Sequence, residues 1–249
     1  MNHSICAVVP VFNAEKTLET LVRRLVKALS PFHAHHIVLV DDSSKDGSRH
    51  VMRRLHDENP HITAITLAHN AGQQSALLCG LRHAECDYTV ILDDDLEHSP
   101  EDIPKLYERI VDGFDAVYGV NMGAADSHGR FRSAGACLRD WLMNRLTDKP
   151  RSMKVCSFRM MNRDAVQHVC AADTRFVYIS LELLKHTANI SNVPVHYNAR
   201  TSSGYHPLKL AALMWKMIVY YSCSRVLKPL RKRGQGYEIE SIHHARSSK

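Results

Sequence analysis

Three consecutive carboxylates, Asp93, Asp94 and Asp95, end a strongly apolar run in the stretch VILDDDLEHSPEDI, residues 90–103. Like charges at close range repel, and each is costly to bury without a partner. In an extended strand alternate side chains share a face, so Asp93 and Asp95 would point to one side and Asp94 to the other. Two carboxylates that enter one cleft can bind a hard divalent cation, and Glu97 could reach the same ion. The stretch therefore predicts a Mg²⁺ or Mn²⁺ site whose coordination is completed by phosphate oxygens.

An alternation of strand and helix patterns leads to this stretch. We predict strands at 5–12, 36–42, 62–68, 88–94 and 115–120, and helices at 14–29, 46–58, 73–84 and 100–112. The first strand is a continuous apolar run, typical of a strand covered on both faces, and the first helix carries apolar residues at helical spacing. The order predicts an α/β fold of the Rossmann-like kind, a mainly parallel sheet with helices on both faces.

Polar residues follow each of the first four predicted strands. They are Asn13 and Glu15, then Asp41 and Asp42, then Asn70 and Gly72, and last the Asp93–Asp95 triplet. Ligands of such sheets bind beyond the carboxyl ends of the strands. We therefore expect these four loops to form one site.

The second half of the chain is less regular. We predict a mobile loop at 121–135, a helix at 137–146, an extended segment at 154–163, a helix at 177–187, a short strand within 189–200 and a helix with a basic end at 207–233. The apolar face of the last helix fits either a membrane interface near anionic lipids or ordinary packing into the core. We predict a domain at 1–205, followed at 206–249 by this amphipathic, basic helix and a loose tail.

Composition narrows the class of protein. At 249 residues, with 45% apolar and 23% charged residues, the chain can bury a sizeable core. Its net charge of +6 fits phosphate-bearing partners or an anionic membrane surface. Neither GxGxxG nor a P-loop is present, which disfavours a dinucleotide-dependent dehydrogenase or an NTPase. The basic tail is short and lacks interleaved aromatic residues, so we expect no nucleic-acid partner.

Cysteine and histidine usage indicates no metal or disulfide frame. The seven cysteines are scattered and form no CxxC pair, which predicts reduced thiols in a cytosolic compartment. The histidines show no HExxH or zinc spacing, and we interpret HAHH at 33–36 as the polar edge of a loop. The opening residues have no signal-peptide pattern, and charges interrupt the best apolar segment, so we expect no membrane span.

Four blocks of sequence together resemble one enzyme family. VVPVFNAEKTL, VLVDDSSKDGS, HNAGQQSALLCGL and ILDDDLEHSPEDIPKL, in this order and spacing, resemble the family 2 glycosyltransferases with the GT-A fold. Within that family the chain is most similar to the polyprenyl-phosphate sugar transferases, such as the dolichyl-phosphate mannosyltransferase and bactoprenol glucosyltransferase types. The resemblance covers about residues 5–120 and continues more thinly through SFRMMNR and VHYNARTSSGYHPLKL. It implies an inverting, metal-dependent transfer of sugar from a UDP- or GDP-sugar to a polyprenyl phosphate.

The resemblance also implies a role for each matching position. The nucleotide would be bound by Pro10, Phe12, Asn13, Glu15, Asp41, Asp42 and Asp94. The metal, Mg²⁺ or Mn²⁺, would be held by Asp93, Asp95 and Glu97. Glu97 stands where the lipid-phosphate members often have Gln.

The second half of the chain bears on the acceptor. Many family members supply a general base from a Glu-Asp pair followed by a Q-x-x-R-W block, and this chain has neither; the nearest candidate, Glu182, falls in a predicted helix. A phosphate acceptor is already anionic, so it needs cations and no base. Arginine suits phosphate because its planar fork donates two hydrogen bonds. We assign the acceptor phosphate to Arg130, Arg132, Arg159, Arg200 and Ser203, and the catalytic set to Asp95, Arg132, Arg159 and Arg200.

Two alternatives stay open beside this interpretation. One is a family 2 glycosyltransferase that acts on the hydroxyl of a glycan in polysaccharide synthesis. The other is a non-catalytic nucleotide-sugar binding module, which the shortened loop RTSSGY permits. For the leading interpretation we expect a cytoplasmic enzyme, peripheral on the cytoplasmic face of the membrane. It would act alone, as a homo-oligomer or with a separate membrane partner.

Overall fold

The computed structural model describes residues 2–121, 141, 143–147, 149–198, 207–221, 230 and 232–245. The strands are β1 Ser4–Val11, β2 Ala34–Asp41, β3 Ile62–Leu67, β4 Tyr88–Ile91, β5 Ala116–Val120, β6 Arg159–Asn162, β7 Ile190–Pro194 and β8 Ile239–His243. The helices are α1 Leu18–Leu29, α2 Ser48–Glu58, α3 Gln73–Leu81, α4 Ile103–Ile110, α5 Arg163–Cys170, α6 Ile179–His186 and α7 Pro207–Tyr221. The loop predicted beyond Asn121 and the domain boundary predicted after residue 205 lie outside the described residues.

All eight strands form one sheet, in the order β7-β5-β6-β4-β1-β2-β3-β8. The central strands β4, β1, β2 and β3 are parallel, as are β5 and β7. β6 is antiparallel to both of its neighbours, and β8 is antiparallel to β3. The predicted mainly parallel sheet is therefore confirmed. Because each central strand is followed by a helix that crosses back over the sheet, the carboxyl ends of β1 to β4 meet at one edge.

Two apolar layers cover the sheet, one on each face. Ile5, Ala7 and Val9 of β1 point into the layer that contains α1, α2 and α4, whereas Cys6 and Val8 point into the layer that contains α3, α5, α6 and α7. This alternation with a period of two explains why β1 reads as a continuous apolar run. The central strands therefore present no solvated face, and ligands can meet them only at their ends.

Two predicted elements are shorter than expected. β4 stops at Ile91, so Asp93, Asp94 and Asp95 lie in a turn and not on an extended strand. The alternation of faces predicted for the triplet is therefore wrong. α1 begins at Leu18, because residues 12–17 form a loop that reaches over to the triplet.

The C-terminal tail is more ordered than predicted. Residues 239–243 form β8, which pairs with β3 at the edge of the sheet, so the expectation of a loose tail is wrong for this segment. In α7, Met214, Met217 and Tyr221 are buried in the core, while Trp215 is 57% exposed. The face predicted for either a membrane or the core therefore packs against protein at these positions. In the part of the chain described above, no helix is long and apolar enough to cross a membrane.

The expectation of reduced thiols is also corrected. Cys6 of β1 and Cys86, just before β4, form a disulfide whose Cα atoms are 5.6 Å apart. The two residues are 80 positions apart in sequence. They meet because β1 and β4 are neighbours in the sheet. Cys79 and Cys170 are free thiols.

Candidate active site

Four loops meet at the carboxyl edge of the central strands, as the sequence predicts. They follow β1, β2, β3 and β4. The three non-glycine residues with positive φ in the described ranges, Asn13 (55°), Ser43 (59°) and Leu96 (62°), all lie in these loops. Such conformations are strained for residues with a side chain and cluster at functional sites. The strain therefore marks this edge independently of its carboxylates.

The loop after β1 contributes an exposed aromatic ring. Phe12 is 46% exposed, and its N–H donates to Asp94 Oδ2 at 2.9 Å. Pro10, two residues earlier, is buried within β1. Of these two predicted nucleotide contacts, the structure thus places Phe12 at the surface of the edge and Pro10 beneath it.

Asn13 and Glu15, the other two predicted residues of this loop, form hydrogen bonds with the loop after β2. The Asn13 N–H donates to Ser44 Oγ at 3.0 Å, and Asn13 Oδ1 accepts from the Lys45 N–H at 2.9 Å. Glu15 Oε2 accepts from the Gly47 N–H at 3.0 Å. These contacts join the first two loops into one surface. Both side chains stay exposed, so they can also face a ligand.

Asp41 is the last residue of β2 and Asp42 follows it, and the two carboxylates accept hydrogen bonds from different neighbours. Asp41 is fully buried and accepts from the Ser44 N–H at 3.0 Å and from Arg49 Nε at 2.9 Å. Asp42 is also buried and accepts from the N–H groups of Ala71 and Gly72, at 2.7 and 2.9 Å. Burial raises the pKa of Asp42 against the effect of these two hydrogen bonds.

Gly72 is required where it stands. Its φ of +87° places it in a region that residues with a Cβ rarely adopt, and it precedes the first residue of α3. This conformation turns the Gly72 N–H toward Asp42. The second and third loops are thereby held together by one carboxylate.

The acidic turn lies between the first and third loops. Asp93 Oδ1 accepts from Gln73 Nε2 at 2.6 Å, and the Asp94 carbonyl accepts from Thr17 Oγ1 at 2.7 Å. Asp95 Oδ1 accepts from the Glu97 N–H at 3.1 Å. Hydrogen bonds from Gln73, from Thr17 and from the Glu97 backbone therefore anchor the turn.

The electrostatics of the turn favour a bound cation. Burial, and then the nearby Asp95 charge, raise the pKa of Asp93, although the Ser157 hydroxyl acts in the opposite direction. Burial, together with the Asp93 and Asp95 charges, raises the pKa of Asp94 to about 6. Carboxylates whose charged forms are disfavoured in this way gain stability from a divalent ion.

The predicted metal ligands are only partly brought together. No group of three or more His, Cys, Asp or Glu side chains in the described ranges is arranged to hold a metal ion. The Glu97 carboxylate accepts from the Tyr197 hydroxyl at 2.5 Å, so it is engaged by the segment that follows β7. Asp93 and Asp95 still fit a divalent ion that is also coordinated by phosphate oxygens, because both belong to the crowded acidic turn.

Arg159 lies in the floor of the site and not on a surface loop. It is 3% exposed at the start of β6, opposite Ile91 of β4. Its Nη1 donates to Ser180 Oγ at 2.7 Å, and its charge lowers the pKa of Asp93. Two buried nitrogen atoms in this area, Arg159 Nε and His98 Nδ1, have no hydrogen-bond partner in the described part of the chain.

Four predicted acceptor residues lie outside the described residues. They are Arg130, Arg132, Arg200 and Ser203. Their roles, and the acceptor role of Arg159, stay predictions.

Sequence reasoning missed several residues that position the predicted ones. Gln73 contacts Asp93, Thr17 contacts Asp94, Tyr197 contacts Glu97 and Arg49 contacts Asp41. Gln73 and Thr17 fall inside the sequence blocks that carried the resemblance, which was the available signal. Arg49 lies at the edge of one block, and Tyr197 carries no local signal because its partner is 100 residues away.

Comparison with known proteins agrees with this geometry. A family model described as Glycosyl transferase family 2 matches residues 6–170, more than half of the chain. The mannosyltransferase PcManGT from Pyrobaculum calidifontis, solved with GDP-Man and Mn²⁺, is 20% identical with a TM-score of 0.61. That match covers 84% of this chain and 60% of PcManGT.

Two other solved structures are similar in fold. Glucosyl-3-phosphoglycerate synthase from Mycobacterium tuberculosis, solved with Mn²⁺, UDP and phosphoglyceric acid, is 16% identical with a TM-score of 0.60, and the match covers 98% of this chain and 90% of that one. TarS from S. aureus is 15% identical with a TM-score of 0.57, and the match covers 90% and 41%. The chain thus spans less than two thirds of PcManGT and of TarS. At these identities the likeness shows the fold.

Proposed function

Since this chain belongs to glycosyl transferase family 2 and has the GT-A fold, we propose that it is an inverting, metal-dependent glycosyltransferase. It would move a sugar from a nucleoside-diphosphate sugar, of the UDP or GDP type, to a polyprenyl phosphate. Two of the solved structures described above, PcManGT and glucosyl-3-phosphoglycerate synthase, contain GDP-Man with Mn²⁺ and UDP with Mn²⁺, which supports a donor and a cofactor of these classes.

One observation carries the proposal. The acidic turn is crowded with carboxylates, and burial, followed by the neighbouring carboxylate charges, raises the pKa values of Asp93 and Asp94. At the same edge, the strained loops after β1 and β2 are braced together around exposed Phe12. A cation-binding site beside an aromatic surface suits a nucleoside diphosphate, because the base can stack on the ring while the cation neutralises the diphosphate charge.

In the proposed reaction, the acidic turn binds the metal ion and the acceptor displaces the nucleoside diphosphate. Asp93 and Asp95 would hold Mg²⁺ or Mn²⁺, which when bound supplies positive charge to the leaving diphosphate. An acceptor oxygen forms a bond to the anomeric carbon from the face opposite the diphosphate. The bond to the diphosphate oxygen breaks, and its electron pair leaves with the nucleoside diphosphate. The configuration at the anomeric carbon inverts.

The acceptor assignment depends on charge. A phosphate oxygen already carries negative charge and needs no residue to remove a proton. Glu182, the carboxylate that the sequence offers as the nearest base, interacts with the Tyr221 hydroxyl, whose pKa is raised by burial and then by the Glu182 charge. Its engagement there favours a phosphate over a hydroxyl acceptor. The guanidinium groups of Arg130, Arg132 and Arg200 would supply the cations for this phosphate, and buried Arg159 would add positive charge beneath it.

We further propose peripheral contact with a membrane, where a polyprenyl acceptor resides. Trp141 and Trp215 are 61% and 57% exposed, and Leu230 is 53% exposed. Tryptophan favours the interface between lipid and water. Flotation with vesicles that contain anionic lipid tests this contact, and we expect Trp215→Ala to weaken recovery in the vesicle fraction. Equal recovery of both proteins would remove Trp215 from the contact.

The decisive experiment measures turnover of the donor. The purified protein is incubated with a panel of UDP- and GDP-sugars, with Mn²⁺, Mg²⁺ or EDTA, and with or without a short-chain polyprenyl phosphate. We expect release of nucleoside diphosphate that requires both the ion and the lipid phosphate.

Other outcomes would select the alternatives. Release that ignores the lipid and responds to a sugar acceptor would indicate transfer to a glycan hydroxyl. Nucleotide binding without turnover of any donor would indicate a non-catalytic binding module. Full activity in EDTA would contradict the metal assignment.

A further inference from the structure

We propose that Arg49 is a positioning residue for the donor nucleotide, and that Glu240 of the C-terminal strand holds Arg49 in place. The inference rests on the proposed function, because it assumes that the nucleotide lies against the loop after β2. It adds two residues that the sequence blocks left without a role.

The first contact is between Arg49 and a buried carboxylate. Asp41 is the last residue of β2 and is fully buried, and its Oδ2 accepts from Arg49 Nε at 2.9 Å. In the described part of the chain, Arg49 is the one cation within ion-pair distance of Asp41. A buried carboxylate without a cation is costly, so the guanidinium fixes which way the Asp41 carboxylate turns.

The second contact reaches the edge of the sheet. Arg49 Nη1 lies 3.2 Å from Glu240 Oε2, and Glu240 belongs to β8, which pairs with β3. The planar guanidinium directs its Nε and Nη1 groups to two separate carboxylates at once. A lysine ammonium is a compact point charge that cannot reproduce this fork. The C-terminal strand is thereby linked to the end of β2.

The orientation of the Asp41 carboxylate determines the shape of the loop after β2 through a chain of hydrogen bonds. Asp41 Oδ1 accepts from the Ser44 N–H at 3.0 Å, and Ser44 Oγ accepts from the Asn13 N–H at 3.0 Å. Between Asp41 and Ser44 in the chain, Ser43 has a φ of 59°, a strained conformation that persists only while its surroundings impose it. Loss of Arg49 would release Asp41 and let this loop relax away from the shape that receives the nucleotide.

The position of Arg49 separates this role from simple packing. Its side chain is 39% exposed and lines a cavity of about 140 Å³ together with Met52, Thr66 and Glu240. Replacing Arg49 therefore opens no hole in the apolar layers. Its loss leaves the buried Asp41 carboxylate without its cation, so we expect a lower melting temperature together with a lower affinity for nucleotide.

The test compares four variants on one helix and its partner strand. Arg49→Gln, Arg49→Lys and Glu240→Gln are measured beside Arg54→Gln. Arg54 is the matched control, because it also lies on α2 and forms an ion pair, with Glu19, away from Asp41. Isothermal titration with UDP and GDP in Mn²⁺ gives the dissociation constants, and donor kinetics give KM and kcat separately.

We expect Arg49→Gln to weaken nucleotide binding and raise the donor KM about tenfold, as for one lost charged hydrogen bond. Its kcat at saturating donor should change by less than about threefold, because the reacting atoms are elsewhere. Arg49→Lys should recover part of the affinity, since it keeps the charge beside Asp41. Glu240→Gln should have a smaller effect than Arg49→Gln, and Arg54→Gln none.

Two results would overturn the inference. The first is a dissociation constant for Arg49→Gln that equals that of Arg54→Gln. The second is a fall in melting temperature and kcat with an unchanged KM, which a purely structural role would produce. If the parent protein itself binds neither UDP nor GDP, the proposed function fails, and that outcome is distinct from both.

Discussion

The two ends of the central sheet carry opposite kinds of ionisable groups. At the carboxyl ends of the strands lie the carboxylates of Asp41, Asp42 and the acidic turn at residues 93–95. At the amino ends lies a histidine group that consists of His35, His36, His61, His83 and His244. The same apolar strands separate the two, so the difference between the ends reflects their loops and not the core.

The histidine group is satisfied by its own neighbours. His36 Nε2 is hydrogen-bonded to Thr63 Oγ1 at 2.9 Å, and His83 Nδ1 is hydrogen-bonded to the Cys79 carbonyl at 2.9 Å. The rings of His35 and His61 pack with centroids 4.7 Å apart. Burial, and then the charges of the other four histidines, lower the pKa of His36 to about 4. This end therefore favours the neutral forms of His35 and His36, whose pKa values are lowered first by burial.

The carboxyl end is less fully compensated. Three of its loop residues have strained backbones, and Arg159 Nε and His98 Nδ1 are buried without hydrogen-bond partners in the described ranges. Many ionisable residues of one type occur at both ends, so their number does not identify a site. Incomplete pairing together with strain does, because a ligand can supply what the fold leaves out.

The largest expected effect is on catalysis at the carboxyl end. Asp93→Asn should reduce sugar transfer by about 1000-fold or more, because it removes a ligand of the ion that neutralises the leaving group. The melting temperature without metal should stay the same or rise, because the change also removes one of the mutually repelling charges. Turnover assays and thermal unfolding in EDTA measure both.

Asp112→Asn is the matched control for this prediction. Asp112 forms an exposed ion pair with Arg109 that is outside the acidic turn. It should leave turnover unchanged. A fully active Asp93→Asn would remove the contrast between the two ends.

The next effect is on stability at the amino end. The disulfide between Cys6 and Cys86 closes a long loop, and its loss should lower the free energy of unfolding by about 2–4 kcal/mol. Urea denaturation should show this loss in the free energy of unfolding for Cys86→Ala. Dithiothreitol should lower the free energy of unfolding of the parent to that of the variant and should leave the variant unchanged. Donor affinity should be equal in both. Alkylation of seven thiols in the unreduced, unfolded parent would contradict the pairing.

A third effect is a pH dependence that belongs to the histidine group. The pKa of His36 is about 4 in the fold, against a usual value of 6.5. The unfolded chain therefore binds a proton first as the pH falls. The contribution of His36 to the free energy of unfolding is fully present above pH 6.5. As the pH falls toward 4, up to about 2–3 kcal/mol of it is lost.

Urea denaturation at several pH values tests this effect. His36→Gln should flatten the curve between pH 6.5 and 4, whereas His33→Gln, at an exposed position, should not. A parent whose stability does not change in this window would show that the histidine group carries no such linkage.

The sequence predicted the parts of the fold that depend on local pattern. The central strands are continuous apolar runs, and their predicted bounds lie within a few residues of the observed ones. β8 was missed because Glu240, Ser241 and His243 make it polar and none of its residues is fully buried at the edge of the sheet, so the segment resembles a polar tail. The Cys6–Cys86 pair was missed because it depends on which strands are neighbours.

The candidate site divides in the same way. The convergence of Asn13, Asp42 and Asp93 on one edge follows from parallel strands and was predicted. The partners that fix each side chain, such as Arg49 for Asp41, depend on side-chain conformations that spacing does not encode. The role of Glu97 as a metal ligand stays a prediction, and its contact with the Tyr197 hydroxyl, 100 residues away, could not be read from the sequence.

The smallest expected effect concerns that last residue and sharpens the boundary of the carboxyl-end site. If Glu97 only positions the Tyr197 segment and is not a metal ligand, Glu97→Gln should change the rate of sugar transfer by less than about threefold. The amide oxygen of glutamine can still accept from the Tyr197 hydroxyl. Tyr197→Phe should then have a similarly small effect and should not alter the Mn²⁺ concentration that gives half-maximal activity. A Glu97→Gln enzyme that needs about tenfold more Mn²⁺ would instead place Glu97 beside Asp93 and Asp95 as a ligand.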